Sequence, residues 1–282
     1  MSTSISSAFI AKYIADVKEA YQQQGSRLRG TVRKKTGIVG STAIFQKHGT
    51  GQAGNKTRHG NVPLMNADHS TVTATLTDWY AADYVDKLDE LKTNIDERKL
   101  VANAGAWALG RKIDNLLITE LDSGAGTTDS ASTAGMTLVR LMTGIETLVG
   151  NDVPFDGNVF GLVGPHQWAE LMLINEFKSA DYVGADGLPW KTGPWPAFKE
   201  FAGVKIMTHT GLPLSSGTRK CFLYHRNAIG LAEGADISVS VDWVAEKAAH
   251  LIDHMMSSGA KTIDGDGIYE IQCDDDEALS TS

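Results

Sequence analysis

The chain has 282 residues, 42% of them hydrophobic and 21% charged, and a formal net charge of −8, which is ample for a full hydrophobic core. No apolar run approaches the roughly 18–20 residues that a bilayer-spanning helix needs, and residues 1–7 lack the basic and apolar regions of a secretory signal. The expectation is a protein with no membrane segment that stays in the compartment where it is made. Cys221 and Cys273, the two cysteines, form neither a disulfide framework nor a metal spacing, and their alternating apolar surroundings suit small buried hydrophobes.

At the start, residues 6–24 place Phe9, Ile10, Tyr13, Ile14, Val17 and Tyr21 at helical spacing. The pattern predicts a short amphipathic helix, N-capped by Ser6 or Ser7, that needs a surface to lie on. The charge then becomes lopsided. Between residues 20 and 67 there is no aspartate or glutamate, but there are eight basic residues: Arg27, Arg29, Arg33, Lys34, Lys35, Lys47, Lys56 and Arg58. Taking these eight from 26 Lys+Arg leaves 18 against 34 acids, so the rest of the chain carries −16. A basic arm on an acidic body attracts something negative, either nucleic acid or the acidic body of a second copy.

Within the arm, residues 28–34, 42–47 and 70–80 have strand composition, the last with a clear period of two. The stretch 49–61 between them holds Gly49, Gly51, Gly54 and Gly60 and no large apolar residue. A long hairpin follows, with little to bury and a need for support from a neighbour. Residues 83–121 then read as one long helix of roughly 58 Å, whose first half is an acidic rod. Asp86, Asp89, Glu90 and Glu97 on it offer a dock for the basic hairpin. A small-residue linker at 122–134 precedes a helix at 137–149, a strand at 159–163 and a helix at 165–175 with proline in its first turn. Residues 176–202 read as a loop rich in Trp, Pro and Gly. Strands are expected at 204–208, 220–225, 229–232, 237–244, 248–256, 259–263 and 268–273, with turns at 257–259 and 264–267, and the acidic tail from residue 274 is expected to fray.

The chemical motifs are weak. Residues 49–54 satisfy the letter of G-x-G-x-x-G, but the helix that must follow to meet a pyrophosphate is missing. The Asp-Gly-Asp-Gly at 264–267 fails the calcium-loop pattern and suits a turn. His250, Asp253 and His254 would converge on one ion from a helix but not from a strand. Hydrolase, zinc-protease and P-loop signatures are absent. No catalytic, cofactor-binding or metal-binding residue is assigned, and no enzyme is expected. For nucleic acid, Phe45 is the only Phe, Trp or Tyr between Arg27 and Asn66, so base stacking lacks platforms.

This order resembles the major capsid proteins of tailed bacteriophages with the Hong Kong 97-type fold. The arm at 1–26 and extended basic hairpin at 27–80 are similar to that family's N-terminal arm and E-loop. ERKLVANAGAWALGRKIDNLLITEL is similar to its spine helix, VFGLVGPHQWAELM to the strand-then-helix opening of its axial domain, and MMSSGAKTIDGDGIYEIQCD to the strands that return to its peripheral domain. The resemblance implies an α+β fold with a peripheral domain at 81–135 and 245–282 and an axial domain at 136–244. It implies self-assembly through pentamers and hexamers into an icosahedral virion shell, built in the host bacterial cytoplasm around DNA that is enclosed but not specifically bound. A separate scaffolding protein, a portal and a decoration protein are the implied partners. Inter-subunit contact is expected at the eight basic residues and the four acidic ones named above. The alternative is a nucleic-acid-binding protein that uses 27–59.

Overall fold

The computed structural model describes residues 22–86, 97–130, 134–174, 198–276 and 278–279. The expected N-terminal helix and most of the Trp/Pro/Gly-rich loop lie outside them. Among the described residues, two large sheets and three helices share one main core, and a two-stranded hairpin leans on one of the sheets.

The four-stranded sheet has the order β1-β11-β12-β4: β1 (Arg33–Thr36), β11 (Ile229–Val244), β12 (Ala249–Thr262) and β4 (Thr77–Asp86). Its middle is a long antiparallel ribbon in which β11 shifts register between Glu233, Ala235 and Ser238. The two short strands expected at 229–232 and 237–244 are therefore one strand with bulges, which bend a strand without ending it. Likewise 248–256 and 259–263 form the single strand β12. The turn expected at 257–259 lies mid-strand, where Ser257 and Ser258 pair with both β11 and β4.

The expected long helix also divides differently. Residues 83–86 belong to β4, whose pairing with β12 runs to Asp86, and the helix α1 spans Glu97–Gly124. Strand pairing outweighs the helical spacing there, because β4 extends a period-two pattern already under way. α1 buries Leu109, Ile113, Leu117, Ile118 and Leu121 and lies on one face of this sheet.

The second sheet has seven strands. Along its main path the order is β5 (Thr127–Asp129), β13 (Ile268–Asp274), β10 (Thr218–His225), β6 (Val159–Val163), β8 (Val204–Thr208) and β7 (Lys199–Phe201), with β9 (Leu214–Ser215) on a branch from β10. Its centre is β6, buried at every residue, beside β10 and β8. A continuous apolar run fits a strand covered on both faces. The helix α2 (Leu138–Gly150) starts at Thr137, whose side chain accepts from the Arg140 amide. The next helix, α3 (Pro165–Leu173), has proline in its first turn.

Three expectations change here. The linker 122–134 contains β5 (Thr127–Asp129), parallel to β13 (Ile268–Asp274). Residues Lys199–Phe201, expected in a loop, form β7 and turn into β8 through Ala202 and Gly203, both at positive φ. The tail does not fray at 274: Arg219 holds Asp275 through two bonds of 2.7 Å, and the Asp275 amide donates to Gly217 O. The closing strands are thus shared between the sheets, β12 in one and β13 in the other. Cys221 and Cys273 are buried and unbridged.

Candidate functional site

The acid-free arm separates into a root, an edge strand and a hairpin. The root, residues 22–32, is pinned by Asp114 of α1, a carboxylate with no exposed surface. It accepts from Gln23 Nε2 at 2.5 Å, Ser26 Oγ at 2.5 Å, the Arg27 amide at 2.9 Å and the Leu28 amide at 3.0 Å. A fifth bond comes from His209 Nε2 at 3.1 Å; His209 Nδ1 accepts the Gly211 amide, so the ring's proton sits on Nε2. Burial pushes the Asp114 carboxyl up, but the bonds from His209, Arg27, Ser26 and Leu28 together outweigh it and hold it below the usual carboxylate range. The chain passes so close to α1 that a Cβ on Gly110 would meet the Gly25 backbone at 2.6 Å, and only glycine fits.

This root explains why residues 28–32 are not the strand expected from their composition. The Leu28 amide goes to Asp114, the Arg29 amide to Ser26 Oγ at 3.1 Å, and the Thr31 amide closes a turn on Leu28 O at 2.9 Å. Thr31 Oγ1 also bonds Leu28 O and the buried Tyr224 hydroxyl at 2.6 Å, which ties the root to β10.

Arg29 makes two bonds to buried Glu233, at 2.6 and 2.9 Å, and one to Asp236 at 2.9 Å. Its pKa is raised chiefly by Glu233, and it draws that of Asp236 down. Arg27 is half-buried beside Asp114, and burial lowers its pKa against that carboxylate's pull. These two cations are held inside the subunit.

β1 holds Arg33, Lys34 and Lys35, all exposed. It pairs parallel with β11 rather than with the hairpin. After it the chain turns at Gly37 and Gly40 and enters β2 (Thr42–His48), which pairs antiparallel with β3 (His69–Thr75). This is the expected long hairpin. The run expected at 70–80 is broken at Leu76, whose amide donates to Ser41 O; β3 stays in the hairpin and β4 joins the sheet.

The hairpin is seated by Ala43, Phe45 and Ala74 against Ala232 and Ile263. Phe45 is therefore buried and gives no stacking surface to a base. Lys47 pairs with Asp264 at 2.8 Å. Beyond it the loop 49–68 exposes Lys56 and Arg58 together with Val62, Leu64 and Met65. Arg33, Lys34, Lys35, Lys56 and Arg58 have no ion-pair partner among the described residues.

Of the acidic positions expected as docks, Asp86 closes β4 and Glu97 opens α1, while Asp89 and Glu90 lie outside the described residues. The calcium-like stretch 264–267 is a turn capped by Asp264. His250, Asp253 and His254 lie on a strand, where His250 meets the Trp243 ring and His254 bonds Ala81 O. No group of three metal-ligating side chains occurs among the described residues. Sequence reasoning missed Asp114, Glu233 and Asp236. Asp114 carried a usable signal, since it falls on the buried stripe of Gly110, Leu117 and Leu121; Glu233 lies 204 residues from Arg29 and carried none.

The model of a family described as phage capsid protein matches residues 5–275. Among curated proteins no relative matches. Solved structures similar to this chain include the capsid of cyanophage P-SCSP1u (TM-score 0.73, 14% identity, covering 95% of this chain and 92% of that one). Another, from Mycobacterium phage Che8, has TM-score 0.71 and 16% identity and covers 91% and 94%. The capsid of Ralstonia phage GP4 has TM-score 0.71 and 11% identity and covers 94% and 95%. At such identities the likeness establishes the fold.

Proposed function

The chain belongs to the phage capsid protein family and is a major capsid protein that forms the shell; from that premise we propose that its acid-free arm carries the contacts between neighbouring subunits. The observation that supports this is the division of the cations. Arg27, Arg29 and Lys47 are held within the subunit, whereas Arg33, Lys34, Lys35, Lys56 and Arg58 are exposed and without an ion-pair partner among the described residues. The neighbour's acidic surface, including Asp86, Asp89, Glu90 and Glu97, supplies the opposite charge. Each exposed pair contributes about 0–1 kcal/mol. Strength therefore comes from repetition and apolar contact, while charge sets register and orientation.

The hairpin takes the part of the family's E-loop. The four-stranded sheet with α1 takes that of the peripheral domain, and the seven-stranded sheet with α2 and α3 that of the axial domain. Subunits gather as pentamers and hexamers into an icosahedral virion shell, assembled in the host cytoplasm with a separate scaffolding protein and a portal. A decoration protein and enclosed DNA complete the particle. The role is structural, and no chemistry is assigned to any residue.

Negative-stain electron microscopy with light scattering tests this directly. The wild-type chain should give closed shells, tubes or five- and six-membered rings. The Arg33→Glu, Lys34→Glu, Lys35→Glu variant should fold and assemble badly; normal particles from it refute charge docking through the arm. A steep salt dependence of DNA affinity in the unassembled subunit would favour a nucleic-acid role for 27–59 instead.

A further inference from the structure

Among the described residues, the four-stranded sheet ends in two edges of opposite charge, β1 and β4, with no further strand beside them. One is β1, four exposed residues with three cations, beside a groove of about 470 Å³ lined by Arg33, Lys34, Lys35, Ile44, Phe45 and Gln46. The other is β4, which exposes Asp78, Tyr80, Asp83 and Tyr84. β1 runs parallel to β11, and β11 and β4 each run antiparallel to β12. The two edges therefore point the same way.

Each edge also carries its charge on both faces. Lys34 lies opposite Leu231, a main-core residue, and so projects on the α1 side; Arg33 and Lys35 lie opposite Gly230 and Ala232, on the hairpin side. On β4, Trp79 and Ala81 pack on the main core, so the period of two puts Asp83 on the α1 side and Asp78 on the other.

We propose that this sheet continues from one subunit into the next, the acidic β4 edge of one copy lying parallel to the basic β1 edge of a second. Unlike charges then meet on both faces, and the unpaired backbone groups of both edges gain partners. The charges also reject the alternatives. Two β1 edges would set three cations against three, and two β4 edges would set carboxylates against carboxylates. Only a head-to-tail contact remains, and such a contact repeats around a ring or shell.

This rests on the shell-forming role proposed above and names the partner surface for one part of the arm. Its test is charge exchange. Lys34→Glu with Lys35→Glu, or Asp78→Lys with Asp83→Lys, should each lower particle yield about tenfold or more, and one chain carrying all four changes should recover it. A second measurement uses Lys34→Cys with Ala81→Cys, the pair that lies opposite in the register placing Asp83 diagonal to Lys34 on one face and Asp78 diagonal to Arg33 on the other. Within a subunit the edges lie three strand spacings apart, about 14 Å, beyond the ~7 Å that a disulfide spans. Oxidation of concentrated protein should therefore give a ladder of linked subunits. Normal particles from the Asp78→Lys, Asp83→Lys chain, or oxidised protein that stays monomeric, overturn the edge pairing. If at the same time the reversal at residues 33–35 blocks assembly, docking through the arm stands and only the edge partner fails.

Discussion

Replacing Asp114 by alanine removes the acceptor on which the whole root converges. Five donors lose this acceptor: Gln23 Nε2, which keeps its bond to Gly25 O, Ser26 Oγ, the amides of Arg27 and Leu28, and His209 Nε2. The two side chains nearest the surface, Gln23 and Ser26, can turn to water. The Leu28 amide and His209 cannot, since Leu28 is 0% and His209 3% exposed. At about 1–3 kcal/mol for each buried unmet donor, and with the Arg27 amide partly exposed, the expected loss is about 3–5 kcal/mol. A chain of this size shifts about 2–4 °C in Tm per kcal/mol, so thermal unfolding of the unassembled subunit should begin roughly 6–20 °C lower. The released root should also open to trypsin after Arg27 and Arg29. Asp114→Asn keeps one acceptor oxygen and should lose about half as much. The pH dependence has a definite sign. Because the folded state holds this carboxyl below its ordinary value, its stabilisation is full above about pH 4 and disappears as pH falls through the folded value. The gap between wild type and Asp114→Asn should therefore narrow on acidification. An Asp114→Ala subunit within about 1 kcal/mol of wild type, resistant to trypsin at Arg27, would refute the hub.

Two further outcomes follow from the same contacts. Arg29→Met leaves Glu233 buried without its cation and should cost about 2–3 kcal/mol, less than a fully buried pair because Arg29 is 29% exposed. Adding Glu233→Met should recover most of that loss in urea unfolding; no recovery would mean that Arg29 acts through packing alone. Phe45→Ala removes the side chain that fixes the hairpin to Ala232 and Ile263 and should cost about 3–5 kcal/mol locally. Hydrogen exchange should rise across β2 and β3 while β6 and β10 stay protected, and uniform exchange across the chain would contradict a separately seated hairpin.

Much of the seven-stranded sheet was legible in the sequence. β6 and β8 fall where their apolar runs place them, α2 lies within a residue of its expected span, and α3 begins at the proline that the local signals mark. These are short-range effects: hydrophobic period, a proline in a first turn. The hairpin too was visible, as two strand-like runs around a glycine-rich stretch. What the sequence could not place were contacts between residues far apart in the chain. Residues 28–32 have strand composition, yet Asp114, more than eighty positions away, takes the Arg27 and Leu28 amides and turns the segment into a root. Residues 83–86 have helical spacing, yet β12 pairs them as strand. The acid-free arm was plain from composition alone, but which of its cations remain exposed was decided by Glu233 and Asp264, which the fold brings against Arg29 and Lys47. Local energies set the elements; tertiary pairing, which no window of sequence contains, decided where they end and which charges face outward.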